Sequence, residues 1–203
     1  MKILLLALLA ATANTAFLIA THALLRRYGL RAINLMHPGT ILAACCLGAL
    51  QAPFVGGMPD LNAAVAIVIS AAVAASVLSD IVSGFIFDAV TLTGLAAGLV
   101  LSGAVGNMLQ ALAGAAAGGA AVGALHLITR GRGMGLGDAK LAACIGCAAG
   151  PVGALESIGA AFVIGGAVAA AMLLSRSGGP KTSVPFAPFL AAGAAVTMSV
   201  GRT

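Results

Sequence analysis

From Ile3 to Val200 the chain is a succession of apolar runs separated by short polar stretches. Each run is close to the length of about 20 residues that carries a helix across a bilayer. Backbone polar groups in such a run have no water to bond, so the segment must satisfy them internally, as a helix does. Only 7% of the residues are charged and 61% are hydrophobic, with a mean hydropathy of +1.14. Soluble domains carry roughly 25% charged residues. A soluble enzyme, a disordered tail and a disulfide-rich secreted module are therefore excluded. The expectation is an all-α, polytopic transmembrane helix bundle of about eight spans, filling residues 1–203 as a single integral membrane domain.

The runs divide the chain as follows. Ile3 to Leu25 is followed by Arg26, Arg27 and Arg31. Small residues at Ala13 to Ala16 resemble a signal-peptide cleavage site, but the run is long enough to span and its positive cluster follows it. Further spans are expected near Thr40–Val55, Leu61–Leu78, Ile86–Val105 and Met108–Ile128. A polar segment, Thr129 to Lys140, comes next. The apolar stretch from there to Leu174 is too long for one crossing, so a turn near Pro151 to Glu156 should divide it. Arg176 to Lys181 forms another basic loop, and Pro185 to Val200 is the last span. With both termini outside, eight of the ten Lys and Arg residues lie on the cytoplasmic side, in keeping with the positive-inside rule.

The net charge of +5 is spread over the ends of apolar runs, which marks loop residues and no nucleic-acid surface. Cys45, Cys46, Cys144 and Cys147 lie inside apolar runs, where thiols serve as small packing residues. No metal site is expected. The pairs Gly94/Gly98, Gly114/Gly118 and Gly119/Gly123 have the spacing that lets helix backbones approach closely. His22, His37 and His126 show no ligand spacing and read as interfacial residues.

Five acidic residues remain: Asp60, Asp80, Asp88, Asp138 and Glu156. Asp60 and Glu156 fall in expected outside turns. Ionisable groups at membrane depth are costly and functional by default. Asp80 ends the third expected span and Asp138 opens the sixth, so an even number of crossings returns both to one membrane face. Two neighbouring carboxylates share a proton; the ionised member can activate water while the protonated one polarises a peptide carbonyl. Gly135 and Gly137 would let the backbone pass close to a substrate or adopt φ > 0. The other reading of Asp138 is a cap on the helix that follows, and physics alone leaves both open. Lys140 suits a cytoplasmic anchor, a local charge for the dyad, or both.

Gly133-Met134-Gly135-Leu136-Gly137-Asp138-Ala139-Lys140-Leu141 resembles the GxGDxK segment of the type IV prepilin peptidases, the intramembrane aspartic proteases of bacteria. Asp80 with Asp88 downstream resembles that family's first aspartate segment, and Pro185-Phe186-Ala187-Pro188-Phe189-Leu190 its final Pro-Phe-Gly-Pro stretch. The resemblance covers about residues 61–200. It implies that Asp80 and Asp138 are the catalytic pair, with Asp88, Gly135, Gly137 and Lys140 in substrate-binding or supporting roles. It further implies cleavage, after a glycine, of the basic leader of a prepilin or pseudopilin precursor at the cytoplasmic face of the bacterial inner membrane. No cofactor is implied. Three departures stand out: Phe87 precedes the downstream acid where the family has proline, Ala187 replaces a glycine, and no cysteine-bearing domain follows the first span. The last makes the N-methylation that bifunctional members perform doubtful for this chain. A small transporter using the aspartates as a proton relay, and a catalytically dead assembly component of a pilus or secretion machine, are the competing classes.

Overall fold

The computed structural model describes residues 2–27, 60–175 and 185–200, and these form an all-helical bundle. In chain order the helices are α1 (Lys2–Arg27), α2 (Asp60–Ser83), α3 (Asp88–Ala104), α4 (Met108–Ile128), α5 (Leu136–Leu174) and α6 (Ala187–Val200). The expected span near Thr40–Val55, the basic loop Arg176 to Lys181, and His37, Cys45 and Cys46 lie outside the described residues. Segments Asn62–Ile81, Met108–Ile128 and Leu136–Leu174 are long and apolar enough to cross a membrane. Asp88–Ala104 and Ala187–Met198 are shorter apolar helices. Large side chains such as Val100, Leu109, Leu127 and Val163 point outward, an arrangement that suits lipid and penalises water.

In lipid, burying apolar side chains supplies little net drive for helices to associate, so close van der Waals packing must hold them together. Small residues provide it. α2 and α3 run antiparallel, with Gly94 against Ala72 and Gly98 against Ile69. The same two glycines face the thiols of Cys144 and Cys147 on α5, so these cysteines fill the gap that a side chain on α3 would occupy. α4 and the start of α5 approach backbone to backbone: Gly114 meets the Gly146 carbonyl, and Gly118 meets that of Ala142. Gly119 also faces α5, at Ala143, whereas Gly123 has open space around it and takes no part in the seam. α1 and α2 run parallel, with Ala10 clustered beside Ala63 and Ile67, and Leu18 beside Ala75 farther along both.

α5 is two helical segments, 136–149 and 151–174, broken at Gly150 (φ 72°, ψ 177°). Pro151 opens the second segment, where its missing N–H costs nothing. Straight, the 24 residue steps from Asp138 to Phe162 would cover about 36 Å. Instead Phe162 stacks on Phe186 at a ring separation of 5.3 Å, and Phe186 borders the same cavity as Asp138. The chain has therefore doubled back, and the break falls at the edge of the expected turn. The returning segment lies antiparallel to α6, whose Gly193 sits on the Ser157 carbonyl.

A methyl group at Gly114 would land on the Gly146 carbonyl, so Gly114→Ala should destabilise the protein by about 1–3 kcal/mol, the usual cost of overpacking. Gly123→Ala, with no neighbour to strike, should be neutral or stabilising by up to about 1 kcal/mol through helix propensity. Thermal unfolding of both variants in one detergent tests the contrast.

Candidate active site

Asp80 occupies the last turn of α2, inside the helix and not at its end as the apolar run had suggested. Its residue is only 8% exposed. The backbone N–H of Ala187, at the start of α6, donates to Asp80 Oδ2 at 3.2 Å. Ala187 is fully buried, and a peptide donor needs no glycine, which accounts for an alanine at this position.

Asp138 sits in the first turn of α5, three residues after the N-cap Gly135. The Gly135 N–H donates to Asp138 Oδ2 at 3.0 Å, so the carboxylate does cap its own helix. Capping and a place in the cavity prove compatible. Among the described residues, the second oxygen of each aspartate accepts no hydrogen bond.

The segment joining α4 to α5 is shaped by a left-handed helix end. Arg130 (φ 51°) and Gly131 (φ 73°) carry the positive dihedrals, with Gly131 N–H bonded to the His126 carbonyl and Arg130 N–H to that of Leu127. This is the paired 6→1 and 5→2 pattern that closes many helices, here with arginine at the position glycine usually fills. The expectation of φ > 0 within Gly135 to Gly137 is not met: Gly135 is extended (φ −80°, ψ 155°), and Gly137 keeps an ordinary φ. The chain reverses five residues earlier, so the glycines before Asp138 serve close approach.

Asp80 and Asp138 border one cavity of about 500 Å³, together with Ile81, Gly84, Gly131, Arg132, Gly133, Met134, Gly135, Pro185 and Phe186. Three helix ends and a loop thus converge on a pair of acids. Of the other residues singled out in the sequence, Gly135 borders the cavity, while Gly137, Asp88 and Lys140 do not. A Cβ on Gly137 would come within 2.9 Å of Ile86 Cβ, so this glycine sets how closely the start of α5 meets the turn before α3. Lys140 Nζ pairs with Asp88 Oδ1 at 2.6 Å, joining the first residue of α3 to the second turn of α5. Phe87, which stands where the resemblance calls for proline, has φ −77°, within the range that proline itself adopts.

Sequence reasoning missed Arg132, Phe186 and the Ala187 N–H as parts of this site. Arg132 belongs to a polar loop with no distinguishing spacing, and a backbone donor leaves no trace in residue identity. Glu156, expected in an outside turn, borders a second cavity of about 570 Å³ with Asn62, Asn107 and Gln110. That cavity lies at the other end of the bundle from the aspartates.

A sequence model of the type IV leader peptidase family matches residues 66–170, just over half of the chain. The chain therefore belongs to the type IV leader peptidase family. The match takes in Asp80, Asp88 and Asp138 and stops before Pro185. No curated protein and no solved structure matches the chain. With its long apolar helices, this is a membrane protein of a peptidase family.

Gly137→Ala should destabilise the protein by about 1–3 kcal/mol through its collision with Ile86. The cost should shrink in an Ile86→Gly background, so a double-mutant cycle on unfolding midpoints should show coupling between the two sites. Additive effects would place the methyl elsewhere.

Proposed function

We propose that the chain is an intramembrane aspartic endopeptidase that removes the basic leader of a type IV prepilin-like or pseudopilin precursor at the cytoplasmic membrane face. The observation that carries this reading is the shared cavity bordered by Asp80 and Asp138, each held through one oxygen by a backbone N–H. One proton is shared between the pair. The ionised carboxylate takes a proton from a water molecule as that water adds to the scissile carbonyl carbon. The protonated carboxylate donates to the carbonyl oxygen, and a proton then passes from the dyad to the leaving amine. Family membership supports a leader peptide as the substrate, and the apolar helices support a substrate that enters with its own helix in the bilayer.

Asp88 and Lys140 have a supporting role in this scheme. Their ion pair is partly exposed, with side chains 58% and 36% accessible, and such pairs contribute about 0–1 kcal/mol. It steadies the register of α3 against α5 near Asp138 without entering the chemistry.

In membranes containing a prepilin substrate at equal enzyme expression, Asp80→Asn and Asp138→Asn should each lower cleavage by about 10²- to 10⁴-fold, the range for loss of a general acid or base. Asp88→Asn should retain most of the activity. Full cleavage by either dyad variant would remove that residue from the mechanism. Cleavage lost in Asp88→Asn alone would move the acid–base role to that residue.

A further inference from the structure

We propose that His126 is a positioning residue for Asp138, acting through the single peptide group between Met134 and Gly135; this rests on the peptidase reading. His126 Nδ1 lies 2.7 Å from the carbonyl oxygen of Met134. A carbonyl only accepts, so Nδ1 carries the proton and the imidazole is the donor. The N–H of that same peptide group belongs to Gly135, and it donates to Asp138 Oδ2 at 3.0 Å. The result is an unbroken line from imidazole to carbonyl, across one amide, and from amide N–H to carboxylate. A hydrogen bond accepted at the oxygen of an amide polarises it and strengthens the bond donated at its nitrogen. The imidazole thereby fixes both the orientation and the donor strength of the group that holds Asp138.

The surroundings fit such a task. Met134 is buried, which limits the exchange of its carbonyl bond for one to water. The ring is itself braced by the turn it supports, because the His126 carbonyl accepts the Gly131 N–H at 2.8 Å. A Cβ on Gly131 would lie 3.2 Å from the ring's Cε1, so the loop closes tightly against the imidazole. Thr129 adds a second tie, its hydroxyl accepting from the Gly133 N–H at 3.3 Å. His126 touches neither the cavity nor the carboxylate, so its influence passes through the peptide group.

The side-chain nitrogen of asparagine occupies the place of histidine Nδ1, whereas leucine keeps bulk and helix propensity but donates nothing. His126→Leu should therefore lower kcat for prepilin cleavage about tenfold with KM changed less than about twofold, the signature of a loss felt in the chemical step. His126→Asn should recover most of that rate. In detergent micelles, exchange of the Gly135 amide hydrogen should quicken about 2- to 10-fold in His126→Leu, the scale of one net hydrogen bond, and slow again in His126→Asn. Wild-type kinetics and wild-type exchange in His126→Leu would overturn the proposal. So would equal losses in the leucine and asparagine variants, which would assign the role to the ring's volume. A wild-type enzyme that cleaves no prepilin would count against the peptidase reading, while the exchange comparison would still decide the link between His126 and Asp138.

Discussion

The contact on which the rest depends is the backbone-to-backbone seam between α4 and the first half of α5. Lipid tails are as apolar as the side chains they replace, so two helices gain by meeting only if their surfaces fit more closely to each other than to lipid. Gly114 and Gly118 against Gly146 and Ala142 achieve that fit. Once the seam is set, the start of α5 has little freedom. Cys144 and Cys147 then register it on Gly94 and Gly98 of α3, and Gly94 and Gly98 register α3 on Ala72 and Ile69 of α2. Asp138 and Asp80 lie at the same end of this stack of small-residue contacts. The position of one carboxylate relative to the other follows from those contacts.

Much of this was legible in the sequence, for reasons that belong to the bilayer. Acidic residues are so rare in the chain that Asp80 and Asp138 stand out, and counting crossings puts them on one face. Pro151 marked the interruption in the long apolar stretch, because a proline opens a helix more readily than it continues one. The glycine spacings showed which helix faces pack, and they failed only at Gly123, where a matching interval faces empty space. Spacing reports that two glycines share a face; it does not report which face another helix will seek.

What stayed hidden was carried by the backbone. No pattern of residue types announces that the N–H of Ala187 will reach Asp80, since every residue but proline offers that donor. The left-handed turn at Arg130 was equally silent, because arginine is not the residue that usually marks one. His126 read as an interfacial residue because its partner is a main-chain oxygen eight positions away, joined to it only after α4 has ended and the chain has reversed. Helix boundaries drifted by a few residues for a related reason: hydropathy shows where lipid ends, whereas α2 continues through Asp80 to Ser83.

The two carboxylates take their structural hydrogen bonds from peptide groups, and this gives the site an unusual tolerance to sequence drift. A side-chain donor vanishes with one substitution. The donors at positions 135 and 187 survive any replacement that spares the local fold, proline excepted, because the genetic code has no other way to delete a main-chain N–H. Alanine at 187 in place of glycine is one exchange of this kind. The environment of the acids can thus stay fixed while the residues that furnish it change.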